Sequence, residues 1–134
     1  MATHIRRLSA ATLALVFLLA APQAWSIGLA EKAGLQAAMQ RHIDRQLVDG
    51  AFLHLDLKTG VVKHLHPVNA HPVILRMGKH YVLCFNFRDD KGKTVEIDFY
   101  LARKANSYVV FNTAVSSRHL LKRLMAAGRV VRSD

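Results

Sequence analysis

The sequence has little of what covalent cross-links and familiar catalytic motifs require. Its 134 residues include a single cysteine, Cys84, so no disulfide can form within the chain. With only three prolines and seven glycines, it is unlike collagen-like and low-complexity chains. It contains no GxSxG elbow, no phosphate-binding glycine loop and no HExxH helix. A length of 134 residues also excludes a two-domain enzyme.

The first 26 residues have the three parts of a secretory signal peptide. Two arginines precede an uninterrupted apolar stretch at 13–21, and small residues follow at Ala24 and Ser26. This stretch is shorter than the roughly 20 apolar residues of a membrane-spanning helix, which argues against the alternative of an uncleaved anchor. We predict cleavage near Ser26, leaving residues 27–134 as a single domain exported to a periplasm or secreted.

Acidic residues are scarce relative to basic ones. Beyond the predicted leader, 17 of the 19 lysines and arginines remain against nine acids, which gives a net charge of +8. Such a surplus attracts anionic partners, although its simplest role is to keep a small protein soluble. Export disfavours nucleic acid. We therefore expect the partner to be an unidentified protein or an anionic component of the cell envelope.

Hydrophobic periodicity predicts a helix, a run of strands and a second helix. Leu35, Met39, Ile43 and Leu47 recur at a spacing of four within a helix over 29–48, which the Asp49-Gly50 pair ends. A second helix begins after Ser116 or Ser117 and ends at Gly128. Six strands are predicted between the helices, at 51–57, 61–66, 73–76, 80–88, 93–102 and 108–115.

This element order predicts an α+β fold, in which an antiparallel meander of about five or six strands is covered by an N-terminal and a C-terminal helix. The layout resembles the cystatin-like and nuclear-transport-factor-2-like α+β rolls. That resemblance implies a helix lying in a curved sheet. It rests on element order alone and implies no function.

The first predicted hairpin decides where several histidines lie. Leu53, Leu55 and Leu57 alternate with polar or aromatic residues, so we expect the leucines to face the core. A three-residue loop ending at Gly60 would pair residues whose numbers sum to 118. His54 would then lie opposite His64, and Phe52 opposite His66, on the polar face.

Neighbouring imidazoles on that face suggest a transition-metal site. Histidines directly opposite each other in an antiparallel pair have Cβ atoms about 4.5–5.5 Å apart, close enough to share an ion. We expect no cofactor, with zinc or copper as the alternative. The other interpretations are solvated histidines and a patch that protonates near pH 6.5. The candidate ligands are His54, His64, His66 and His71.

A carboxylate cluster suggests a second alternative, a small cavity enzyme. Glu96, Asp98 and Tyr100 alternate along one strand, and in a curved sheet this face can line a cavity where a carboxylate transfers protons. Such acids are also common as solvated residues. Cys84 has apolar neighbours on both sides, so we expect a buried, unreactive thiol.

The C-terminal segment is basic, with a stripe suited to a peripheral contact with an anionic membrane. Its residues are Arg118, Lys122, Arg123, Arg129 and Arg132. The alternative is that the stripe is the solvated back of a core helix. Taken together, the sequence favours a non-catalytic exported binding or accessory protein. A histidine-based metal binder and a proton-transfer enzyme using Glu96 and Asp98 remain the alternatives.

Overall fold

The computed structural model describes residues 26–133. The predicted leader up to residue 25 lies outside the described residues. The elements are α1 (Leu29–Gln46), β1 (Leu47–Val48), β2 (Ala51–Asp56), β3 (Val61–Met77), β4 (His80–Arg88), β5 (Thr94–Lys104), β6 (Ser107–Val115), α2 (Arg118–Ala126) and β7 (Val131–Arg132). Neither helix in this part of the chain combines the length and apolar character needed to cross a membrane.

The predicted α+β class with an antiparallel sheet is confirmed. The strands follow the order β1-β2-β3-β4-β5-β6, each antiparallel to its neighbour, and β7 pairs with β3. Seven strands are present rather than five or six, because β1 and β7 are two-residue strands that periodicity does not detect. The meander follows from short turns between consecutive strands.

Strands β4 and β5 are buried on both faces, and two hydrophobic clusters lie on either side of them. The larger cluster joins Leu35, Met39 and Ile43 of α1 to the aromatic residues Phe87 and Phe99 of the sheet. The smaller one joins Leu121 of α2 to Val82, Cys84 and Tyr100 on the other face, together with Leu75 and Val130. The predicted alternation in these strands is confirmed, since the residues predicted to share one face all lie in or against the larger cluster.

Two tyrosines of the sheet form hydrogen bonds with the start of α1. The hydroxyls of Tyr81 and Tyr108 both donate to Oε1 of Glu31 in the first helical turn. Arg103 Nη2 donates to the same oxygen at 3.2 Å, and its guanidinium carbon lies 5.0 Å from the centre of the Tyr108 ring. The acid at this position also complements the positive end of the helix dipole.

The predicted orientation of the β2 leucines is wrong. Leu53, Leu55 and Leu57 are 40%, 51% and 87% exposed, whereas Phe52 is buried. The Phe52 ring packs against Phe87 at a centroid distance of 5.5 Å. Burying this aromatic ring turns the alternate residues, the leucines, away from the core. The strand carries a large aromatic residue on one face and leucines on the other, and packing decides which face is buried.

The Asp49-Gly50 pair was predicted to stop the helix, but it forms a hairpin turn. The helix ends at Gln46, and the next two residues already form β1, which pairs with Ala51 and Phe52. Asp49 and Gly50 both have positive φ, 51° and 79°. Two positive-φ residues in a two-residue loop are typical of a type I′ hairpin, for which Asp-Gly is a favoured sequence.

The two strands predicted at 61–66 and 73–76 are one long strand, β3. Pro67 and Pro72 do not end it, because the pairing with β4 shifts register at Pro67/Asn69 and again at Ala70/Ile74. Such bulges accommodate prolines, which lack the N–H that a regular ladder uses. The segment predicted as an edge is also covered, since β7 pairs with Leu75 and Arg76.

Candidate functional site

The second irregularity of β3 opens the sheet beside Cys84. Ala70 pairs with Phe85 and Ile74 pairs with Leu83, so three residues of β3, from position 71 to 73, lie opposite the single residue Cys84. Pro72 stands in the middle of the three and cannot donate to β4. Bulges of this kind are frequent next to functional sites, because they re-aim side chains and break the regular ladder.

Helix α2 forms the other wall of this opening. A cleft of about 260 Å³ lies between the helix and the bulge, and apolar side chains of both contribute to it. Its lining consists of His71, Pro72, Val73, Leu75, Cys84, Arg118, Leu121, Met125 and Arg132.

Arg118 is the central polar residue of the cleft. Its Nε and Nη2 donate to the two carboxylate oxygens of Glu96, each at 2.7 Å, in a bidentate pair. Hydrogen bonding from Arg118 holds the pKa of Glu96 below its usual value and raises the pKa of the arginine. The third nitrogen, Nη1, donates to Cys84 Sγ at 3.6 Å and lies 3.7 Å from Asp98 Oδ1.

Asp98 lies behind the cleft as an almost fully buried carboxylate. It is 2% exposed and pairs across the ladder with Cys84. Among the described residues, its Oδ1 has no hydrogen-bond partner, and neither does the Tyr100 hydroxyl. Burial raises the pKa of Tyr100. Arg118 Nη1 lies 3.7 Å from Asp98 Oδ1, so the arginine compensates the charge of this carboxylate.

Cys84 is buried and free, as predicted. Burial, followed by hydrogen bonding to Asp98, raises the pKa of its thiol to about 12. Because only the thiolate is a strong nucleophile, the side chain is a neutral apolar wall of the cleft at neutral pH.

This thiol state predicts slow chemical modification. At pH 8 we expect the folded protein to react with iodoacetamide at least about a hundredfold more slowly than the urea-unfolded protein, because burial and the raised pKa leave little thiolate. Mass spectrometry over time measures both rates. Ser107→Cys in a Cys84→Ser background provides an exposed control that reacts quickly when folded. Equal rates for Cys84 in both states would contradict the assignment.

His71 is the only predicted metal ligand at the cleft. Its Nε2 lies 2.8 Å from Asn86 Oδ1 and 3.8 Å from Glu96 Oε1. The imidazole therefore interacts with the same carboxylate that Arg118 binds. Its position follows from the bulge, which brings residue 71 next to the neighbouring strands.

The predicted pairing of His54 with His64 is wrong by one residue. Leu53 lies opposite His64 and His54 opposite Lys63, so paired numbers sum to 117 and the loop has four residues. A one-residue slip moves His54 to the other face from His64. Likewise, Phe52 pairs with Leu65 rather than His66.

His64 and His66 instead share an acid at the neighbouring turn. His64 Nδ1 lies 3.3 Å from Asp90 Oδ2, and His66 Nε2 lies 2.9 Å from Asp90 Oδ1. Hydrogen bonding from His66 lowers the pKa of Asp90. Across residues 26–133, no group of three histidines, cysteines or acids is arranged to hold a metal ion. Zinc or copper binding by these histidines stays a prediction that assumed a different register.

The predicted basic stripe is divided by the fold. Arg118 turns toward Glu96 and the sheet, whereas Lys122 and Arg123 on α2 are exposed. Arg132 belongs to β7 and lines the cleft, and Arg129 is exposed in the preceding turn. The ion pair of Arg118 joins residues 22 positions apart, which no local pattern reveals.

Comparison with known proteins finds no match to this chain. No family model, no curated protein and no solved structure matches it. The resemblance to cystatin-like and nuclear-transport-factor-2-like rolls therefore stays a prediction, and the function has to be argued from the cleft itself.

Sequence reasoning located Glu96, Asp98 and Tyr100 on a common face but missed that α2 covers them. It also missed Pro72, Val73 and Leu75 of β3 as lining residues, because it placed Pro72 in a connection. One signal was present. A proline inside a segment with strand-like apolar residues favours a bulge, and bulges often stand beside sites.

Proposed function

We propose that this chain is an exported, non-catalytic binding protein, and that its ligand is a small organic anion with an apolar part. The cleft between α2 and the β3 bulge carries the proposal, because it combines apolar walls with the guanidinium groups of Arg118 and Arg132. Binding sites are commonly apolar clefts with a few polar groups that orient the ligand. Export rests on the leader predicted at residues 1–26.

The volume and charges of the cleft define the ligand class. About 260 Å³ is less than the pockets that hold drug-sized molecules, so a small ligand is expected. The guanidinium of Arg118 has five N–H donors, of which the contacts with Glu96 and Cys84 use three, and Arg132 also lines the cleft. Both favour a carboxylate there, with Leu121 and Met125 contacting the apolar part.

The protonation states in the cleft support binding over proton transfer. A general base works best when its pKa lies near the working pH, but Arg118 lowers the pKa of Glu96. A nucleophilic cysteine has to be a thiolate, but the pKa of Cys84 is raised to about 12, so its thiol stays protonated at neutral pH. At neutral pH, Glu96 is thus a carboxylate paired with Arg118 and Cys84 is a neutral thiol. Both states favour a structural role over a catalytic one.

Titration with hexanoate and benzoate tests the proposal. We expect saturable heat release in calorimetry and a raised melting temperature for at least one of these probes. Arg132→Gln should weaken binding about tenfold through the loss of a charge-assisted hydrogen bond, and Met125→Trp should block the cleft.

Two matched variants serve as controls. Arg129→Gln removes an exposed arginine outside the cleft, and Phe111→Trp enlarges an exposed side chain on β6. Both should bind the probes as the unmodified protein does. The proposal fails if neither probe binds, or if binding survives both cleft variants unchanged.

A further inference from the structure

Part of the first long hairpin extends beyond the main sheet. The pairing of β3 with β4 begins at His66, so the stretch from Val61 to Leu65 pairs only with β2. We call residues 53–64 the β2–β3 ribbon. An isolated two-stranded ribbon is only marginally stable in water, so contact with a partner would be expected to stabilise it.

One face of the ribbon is apolar and exposed. Leu55 lies directly opposite Val62, and Leu53 lies opposite His64, so all four side chains share a face. The three apolar ones are about half exposed, and Leu57 in the turn is 87% exposed. Exposed apolar residues that share one face of a small protein are typical of a surface that contacts a partner or a membrane.

The turn that presents Leu57 is well ordered. Asp56 Oδ1 accepts hydrogen bonds from the backbone N–H groups of Lys58 and Thr59, at 3.0 and 3.4 Å. Lys63 Nζ lies 2.9 Å from the other oxygen of the same carboxylate. The turn closes at Gly60, whose φ of 69° suits glycine. Leu57 is therefore presented by a turn that is hydrogen-bonded within the ribbon itself.

Basic side chains surround this apolar tip. Lys58 adjoins Leu57, and a groove of about 460 Å³ separates the ribbon from the β4–β5 turn, where Lys91 and Lys93 are exposed. Arg88 and Lys63 are also exposed nearby.

The three acids of this region are already engaged within the protein. Asp56 binds Lys63, Asp89 Oδ1 accepts the backbone N–H groups of Lys91 and Lys93, and Asp90 lies between His64 and His66. Five lysines and arginines thus outnumber three carboxylates here. The exposed charge around the tip is positive.

We propose that the tip of the β2–β3 ribbon docks on an anionic lipid bilayer. Leu57, Leu55 and Val62 enter the boundary between headgroups and acyl chains, while the surrounding lysines contact lipid phosphates. Apolar insertion combined with basic flanks is the arrangement that binds anionic membrane surfaces. This surface is separate from the cleft, so the proposal does not depend on the cleft ligand.

The positive charge around the tip favours an anionic bilayer over a second copy of the chain as its partner. A symmetric dimer through this face would place the same basic residues opposite one another, and like charges facing each other disfavour association. An anionic bilayer instead complements them. The 87% exposure of Leu57, in the loop of the ribbon, also suits shallow insertion.

Sedimentation with lipid vesicles tests the docking. The protein is purified as expressing cells release it, and its mass records whether the leader is still attached, so that only variants of the same form are compared. We expect binding to vesicles of equal parts phosphatidylglycerol and phosphatidylcholine, weaker binding at high salt, and little binding to phosphatidylcholine alone. The double variant Leu55→Ser/Leu57→Ser should bind at least about tenfold more weakly. Lys91→Glu/Lys93→Glu should also bind at least about tenfold more weakly.

Matched variants keep the result interpretable. Val109→Ser/Phe111→Ser changes exposed apolar residues of β6, and Lys79→Glu/Lys104→Glu changes exposed lysines in other turns; both should bind as the unmodified protein does. Circular dichroism checks that every variant is folded. The proposal is overturned if the ribbon variants bind normally, or if only Lys122→Glu/Arg123→Glu on α2 abolishes binding. It is also overturned if the ribbon leucines prove to hold a dimer that ignores vesicles.

Discussion

Replacing Arg118 by methionine is expected to destabilise the protein by about 2–3 kcal/mol. Removing one partner of a fully buried ion pair costs about 3–5 kcal/mol, and we expect a smaller loss here because the side chains of Arg118 and Glu96 are each about one third exposed. The larger part of the loss comes from Asp98, which is 2% exposed and would have no cation beside its Oδ1. Urea unfolding measures the change.

A second substitution identifies the cause of that loss. Asp98→Asn in the Arg118→Met background should recover a large part of the stability, because a neutral amide tolerates the site better than an uncompensated carboxylate. Lys122→Met, an exposed lysine on the same helix, should change stability by less than about 0.5 kcal/mol. If Arg118→Met matched the unmodified protein, the role of Arg118 as counter-ion to Asp98 would be wrong.

Phe87→Ala is expected to be the most destabilising single change, at about 3–5 kcal/mol. The side chain is fully buried, and its ring contacts those of Phe52, Phe85 and Phe99 at centroid distances of 5.5, 5.1 and 6.4 Å. Truncation leaves a cavity at the point where β2 joins the core. The melting temperature should fall by more than about 10 °C, which scanning calorimetry records.

Phe111→Ala is the control for that change. Phe111 is 52% exposed on β6, although its ring contacts His80 and Tyr100. Its truncation should cost less than about 1 kcal/mol. Comparable losses at both positions would mean that the core is not centred on the aromatic residues of β2, β4 and β5.

Hydrophobic periodicity correctly predicted which residues of β4 and β5 share a face, because the packing of these strands follows the same alternation. Every second residue from Tyr81 to Phe87 lies in one cluster, and the intervening Val82 and Cys84 lie in the other. The β2 strand shows the opposite case. Both of its faces carry large apolar residues, so the pattern does not say whether Phe52 or Leu53 is buried.

The candidate site was only partly predictable for a related reason. Strand alternation correctly placed Glu96, Asp98 and Tyr100 together, because that rule is local. The partners of Glu96 and Asp98 come from distant parts of the chain: Arg118 lies 22 positions away, and His71 arrives through a bulge. Bulge position and helix placement depend on tertiary packing, which one sequence does not reveal.

Because both faces of β4 are buried, this strand should not tolerate the insertion or deletion of single residues. Inserting or deleting one residue in the middle of β4 would exchange the side chains of the two clusters, sending phenylalanines toward α2 and Cys84 toward α1. A single insertion or deletion would therefore disrupt both hydrophobic clusters. The β2–β3 ribbon has no such constraint near its tip, where lineages can gain or lose residues in cross-strand pairs. We therefore expect insertions and deletions to be tolerated in the ribbon and not in β4.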